Sequence, residues 1–259
     1  MFEALAPVLG LTEGAIYTAM IVFARIAAIS ALLPGFGEQS VPMRVRLLIA
    51  LGFTIICWPL VYPKTGNLPT GSMALLMMIG AEVLIGTAMA LIIRFLVLAL
   101  QLAGSMAAQA TSLSQIMGAG ATPDPMPAIG NILVMGGLAL ALVADLHIKV
   151  IQTIAASYTV LPPGLVPPAE DISYWGLTHA ARAFALAFSL AAPFVVASFA
   201  YNLMLGFINR AMPQLMVAFI GAPAITAGGI LLLAVAGPVI LTVWLGHLDA
   251  VLADPFARP

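Results

Sequence analysis

Six apolar stretches, each near the length of a bilayer span, set the architecture: Gly14–Leu33, Val45–Val61, Ser72–Leu102, Ala128–Val143, Trp175–Tyr201 and Ala224–Gly246. A span takes about 20 mostly apolar residues at about 1.5 Å of rise each. Ser72–Leu102 is too long for one straight span and holds Glu82 and Arg94. Pro193 and Pro238 lie inside spans, where kinks are expected. No alternating strand pattern or short repeat is present, so the class is all-α and polytopic. Composition agrees: 63% of residues are hydrophobic and 7% charged, with a mean hydropathy of +1.13, whereas soluble domains are about 25% charged.

Charge and cysteine usage exclude several functions. A net charge of −1 leaves no basic patch for nucleic acid. Cys57 is the single cysteine and sits in an apolar run, which rules out an internal disulfide or a thiolate metal cluster. No HExxH, GxSxG or GxxxxGK[ST] pattern occurs, and His147, His179 and His247 are far apart. The sequence reads as no enzyme, with no cofactor and no metal. Asp124 and Asp145 adjoin prolines and end a span, so structural roles are expected of them. Glu3 and Glu13 precede the first basic residue, Arg25, so a retained first segment is expected rather than a cleaved leader. Orientation stays open, because alternating spans place Arg44, Arg46 and Arg210 on one side and Lys64, Lys149 and Arg258 on the other.

Arg25, Glu82, Arg94 and Arg182 fall within apolar runs. A charge at the bilayer centre costs at least about 2.5 kcal/mol, so each needs a partner, water or an interface. Arg94 and Arg182 lie near segment ends and can snorkel, whereas Arg25 lies midway along its segment. Glu82 and Arg94 would meet only if their helix broke, with Gly86 as the candidate break. Ala103/Ala107 and Gly104/Ala108 place small residues four apart, a spacing suited to close helix packing. They open a small and polar stretch, Ala103–Pro127, that reads as a loop. Asp145 and Lys149 have the favourable i,i+4 order on a helix.

Between the last two spans lies "NLMLGFINRAMPQLMVAFIGAP", Asn202–Pro223. Pro213 interrupts helical hydrogen bonding, and Asn209 and Gln214 can satisfy the freed backbone groups. An ordinary turn with one arginine, Arg210, would also read this way. The pattern "NRAMPQL", Asn209–Leu215, followed by "IGAP", Ile220–Pro223, resembles the FliR family of flagellar type III export-gate proteins. Pro34, Gly37, Pro42 and Arg44 resemble that family's N-terminal turn, and Glu82, Arg94 and Ala103-Gly104 fall in a similar order. Met216 departs from the family's usual Asn, and Ala218 and Ala222 from its Phe.

The resemblance implies bent helical hairpins, with residues 1–172 forming a FliP-like part and residues 173–259 a FliQ-like hairpin whose bend is Asn202–Pro223. Asn209, Arg210, Pro213, Gln214, Gly221 and Pro223 then become candidate partner contacts. Ala103–Pro127 becomes a channel plug, with Gly104, Gly118 and Gly120 as hinges, Met117 as a soft seal and Asp124-Pro125 matching the family's central loop. Arg25, Glu82, Arg94 and Arg182 become candidate buried or inter-subunit charges. Implied partners are FliP-like and FliQ-like subunits, an FlhB-like gate protein, the flagellar basal body, exported unfolded polypeptides and membrane lipid. The implied location is the bacterial inner membrane, in several passes, at the basal body. Two other readings stand beside this one: an injectisome homologue of the same gate, and a proton-coupled secondary transporter using Glu82 at a broken helix.

Overall fold

The computed structural model describes residues 2–38, 41–62, 71–111, 127–212 and 217–256. Among them the regular structure is helical: α1 (Phe2–Leu32), α2 (Met43–Val61), α3 (Ser72–Ala110), α4 (Ala128–Val143), α5 (Leu146–Val160), α6 (Ala169–Ala211) and α7 (Val217–Ala253). Pro42 and Pro127 immediately precede α2 and α4, where a fixed φ and a missing N–H suit the start of a helix. Glu170 and Asp171 occupy the first turn of α6 and Arg210 its last, matching both ends of the helix dipole.

Among the described residues, five helices are long and apolar enough to cross a membrane, and the pair α4–α5, bent by 72°, makes a sixth if it counts as one span. The bend sits at Asp145, which adopts φ 61°. Asp tolerates this left-handed conformation better than most residues with a Cβ. The Asp145 carbonyl still accepts from the Lys149 N–H at 3.1 Å, so the pair read as neighbours on one helix marks its entrance.

The structure extends several elements past their apolar runs. α3 continues through Ala103-Gly104 to Ala110, so that part of the expected loop is helix. It is also unbroken at Gly86. What Gly86 provides is proximity: a Cβ there would run into the Arg25 carbonyl of α1. α6 and α7 reach to Ala211 and from Val217, which narrows the expected bend. Pro59, Pro193, Pro223 and Pro238 all lie within helices.

The chain divides into two compact units. Unit 1 comprises residues 1–94, 145–178 and 250–259, and unit 2 comprises residues 95–144 and 179–249. In unit 1, Ile21, Ile26 and Ile29 of α1, Leu33 just after it and Tyr158 of α5 are all buried in the core. Its last segment is tied in twice. Thr153 Oγ1 donates to the Leu252 carbonyl at 2.6 Å, and Trp175 Nε1 donates to the Pro255 carbonyl at 2.8 Å while its ring stacks on Phe256. The core of unit 2 centres on Trp244, which is fully buried and donates Nε1 to the Leu96 carbonyl at 2.8 Å. Gly137 leaves room for that ring and for Leu100.

Candidate functional site

The interior of unit 1 holds the cluster with the densest chemistry. Arg25 on α1 and Glu82 on α3 are each 0% exposed and form a two-pronged ion pair. Arg25 Nε donates to Glu82 Oε2 at 2.6 Å and Nη2 to Oε1 at 3.2 Å. Nη1 donates to Ser157 Oγ at 2.8 Å, and Nη2 also reaches the Leu161 carbonyl at 3.0 Å. Glu82 accepts further from the Gly164 N–H at 3.0 Å and, more weakly, from the Tyr158 hydroxyl at 3.5 Å. The Tyr158 ring lies under the guanidinium, 3.7 Å from Arg25 Cζ to the ring centroid.

Burying both charges is tolerable only with this degree of satisfaction, since a planar guanidinium and a carboxylate match geometrically and every nitrogen and oxygen of the pair has a partner. Two glycines make the arrangement possible. Gly86 brings α3 against α1, and Gly164, at φ +79°, turns the loop so that its N–H faces Glu82. The cluster therefore pins α1, α3, α5 and the loop after α5 in one register. The transporter reading places Glu82 at a broken helix, whereas α3 runs unbroken through Glu82 and Gly86.

The other intramembrane charges are placed differently. Arg94 is half-buried and Arg182 exposed in the single chain, so neither joins the buried cluster. In the N-terminal turn, Gly37 donates to the Leu33 carbonyl at 2.7 Å, and a Cβ on it would strike the Ala31 carbonyl. Gly35 takes φ +83°. The residue that fastens this turn is Arg46, through Nη2 to the Glu38 carbonyl at 2.7 Å and Nε to the Val41 carbonyl at 3.0 Å. Arg44, the arginine that matches the family's turn motif, is exposed. Pro34 is buried in the same turn, and Pro42 sets the start of α2.

The hairpin of α6 and α7 is joined within unit 2. The Tyr201 hydroxyl donates to the Gly221 carbonyl at 2.7 Å, and Ser198 Oγ donates to the Ala110 carbonyl at the end of α3 at 2.6 Å. Asn209 and Arg210 are exposed in the last turns of α6. Gly221 and Pro223, expected in the bend, are helical residues of α7 instead. Pro213 and Gln214 lie outside the described residues. In sequence Tyr201 only marks the end of the fifth apolar stretch. Nothing in its sequence neighbourhood points to a partner twenty residues away.

Of the plug residues, Gly104 is in α3, where a Cβ would overlap the backbone of Gly130 in α4. Its role is helix contact rather than a hinge in a loop. Met117, Gly118, Gly120, Asp124 and Pro125 lie outside the described residues. Among the described residues no group of three His, Cys, Asp or Glu side chains could hold a metal ion.

Comparison with known proteins gives a consistent picture. The profile of the "Bacterial export proteins, family 1" matches residues 16–251. The flagellar biosynthetic protein FliR of Caulobacter vibrioides is 34% identical over 88% of this chain and 92% of its own length. FliR of Escherichia coli is 30% identical over 83% of this chain and 82% of its own. FliR of Bacillus subtilis is 28% identical over 86% and 87%. The profile match begins within α1 and ends within α7, and the chain belongs to the bacterial export proteins of family 1, the family of the flagellar biosynthetic protein FliR.

Proposed function

We propose that this multi-pass component of the flagellar export apparatus forms, with FliP-like and FliQ-like subunits, the gated channel that passes unfolded flagellar subunits across the inner membrane. The observation that carries the proposal is a mismatch of length. α6 has 43 residues, about 64 Å of helix at 1.5 Å per residue. A hydrocarbon core is about 30 Å thick. Even tilted by about 40°, such a helix projects about 49 Å along the bilayer normal. Its exposed apolar side chains, Leu177, Phe184, Phe188, Phe199, Phe207 and Ile208 among them, run over most of that length. Lipid cannot cover them all, and α3 and α7, with 39 and 37 residues, raise the same demand. Neighbouring helical subunits meet it, because one helix surface is as apolar a solvent as lipid.

In this reading residues 1–172 are the FliP-like part and residues 173–259 the FliQ-like hairpin. Asn209 and Arg210, exposed at the end of α6, and the motif residues Pro213 and Gln214 that follow them in sequence serve as contacts for the rest of the machine, an FlhB-like protein included. The stretch from Met117 to Pro125 closes the channel at rest and is displaced by the arriving polypeptide. No chemistry is required of the chain, since passage is a change of packing.

The test places a photoreactive diazirine side chain at Phe199 or Phe207 in the full chain, in the membranes of a flagellated bacterium. Irradiation is expected to join the chain to small membrane proteins of the apparatus. Lipid adducts alone at both positions would refute the subunit assignment of this face.

A further inference from the structure

α2 differs from the helices that outrun a bilayer. Its 19 residues, Met43–Val61, make about 28 Å of helix, close to the roughly 30 Å of a hydrocarbon core. Arg44, Leu48, Leu51 and Ile55 follow one another at intervals of four, three and four, so they form a single stripe along the helix. All four are exposed, Leu48 and Ile55 by 67% and 71%. Inward, α2 buries Ala50, Thr54, Cys57 and Val61.

The stripe has chemically distinct ends. Arg44 has no hydrogen bond or ion pair among the described residues. Its neighbour Arg46 is already committed to the carbonyls of Glu38 and Val41. α2 contains no acidic residue to neutralise either arginine. At the other end Trp58 and Tyr62 pair their rings at 5.9 Å, the residue types that favour a membrane–water boundary.

We propose that this face of α2 is a lipid contact, with acyl chains covering Leu48, Leu51 and Ile55 and the Arg44 guanidinium binding the phosphate of an anionic phospholipid. The inference rests on the multi-pass reading and identifies which helix faces lipid where α3, α6 and α7 call for protein. Span length, an apolar stripe, a cation at one end and aromatics at the other all fit a bilayer. A subunit covering the same face would have to bring its own acid to Arg44.

Two measurements test it on the full chain. In native membranes, a diazirine side chain at position 48 or 55 is expected to yield a phospholipase-sensitive lipid adduct, and protein adducts at both would overturn the proposal. The contrast with Phe199 and Phe207 separates the readings: lipid adducts alone at 48, 55, 199 and 207 would uphold this inference while sinking the subunit assignment of α6. Protein adducts at all four would do the reverse. In phosphatidylcholine vesicles with and without phosphatidylglycerol, Arg44→Gln is expected to lower retained phosphatidylglycerol about fivefold, and Arg44→Lys to keep most of it. Unchanged retention in Arg44→Gln would remove the headgroup contact.

Discussion

Arg25 illustrates how a single residue can be legible as a problem and not as a solution. An arginine midway along an apolar segment demands a partner, and Glu82 in another segment makes the same demand. Their pairing spans 57 positions of sequence, and no periodicity links two charges so far apart. Only the packing of α1 on α3 through Gly86 brings them together. Removing one partner leaves the other charge buried and alone, so Arg25→Met or Glu82→Leu alone is expected to lower stability by about 3–5 kcal/mol. The double substitution is expected to recover much of that loss. Thermal unfolding of the purified chain in detergent checks both, and additive losses in the double variant would show that the pair is not coupled. Gly104 is the second such residue. Its small size was visible, but its neighbour Gly130 was not. Gly104→Val is expected to force α3 and α4 apart and reduce the steady-state amount of chain in the membrane, with Gly80→Val, where nothing lies within 4 Å, as the tolerated control.

At the scale of elements, hydropathy located the long helices but not their ends. α3 continues through Ala103–Ala110, the start of the expected loop, α6 through Asn202–Ala211, the start of the expected bend, and α7 past its apolar run to Ala253. Helical hydrogen bonding carries polar and small residues when apolar turns on either side are anchored. α5 escaped notice for a related reason. His147, Lys149, Gln152, Thr153 and Ser157 break its apolar run, yet Val150, Ile154 and Tyr158 recur on one buried face. The α6–α7 hairpin was legible as two spans flanking a polar bend, while its fastening by Tyr201 was not. Tyr201→Phe removes one hydrogen bond to the Gly221 carbonyl, and a loss of about 1 kcal/mol is expected. Hydrogen exchange around Gly221 should quicken in that variant, and unchanged exchange would mean the contact does not hold the hairpin. Arg210→Ala, exposed at the bend, is expected to reduce assembly or secretion more than membrane insertion. If insertion alone falls, the bend is an ordinary turn with a single positive charge.

For the whole molecule, apolar surface longer than any bilayer is the physical basis of the account. Hydropathy reads lipid-facing and subunit-facing helices alike, since both surroundings are apolar. The proposed division between them rests on helix length: α2 fits a bilayer, while α3, α6 and α7 are longer than one. A gate built this way must also be closed at rest. Deleting Gly118–Pro125 is expected to make resting cells leak small ions, and unchanged conductance with normal motility would remove the plug from the account. The central claim is assembly, and affinity purification of the tagged full chain from a flagellated bacterium tests it most directly. The account predicts that FliP-like and FliQ-like membrane proteins copurify with it in a stable complex. A chain recovered alone, folded and in the membrane, would contradict it.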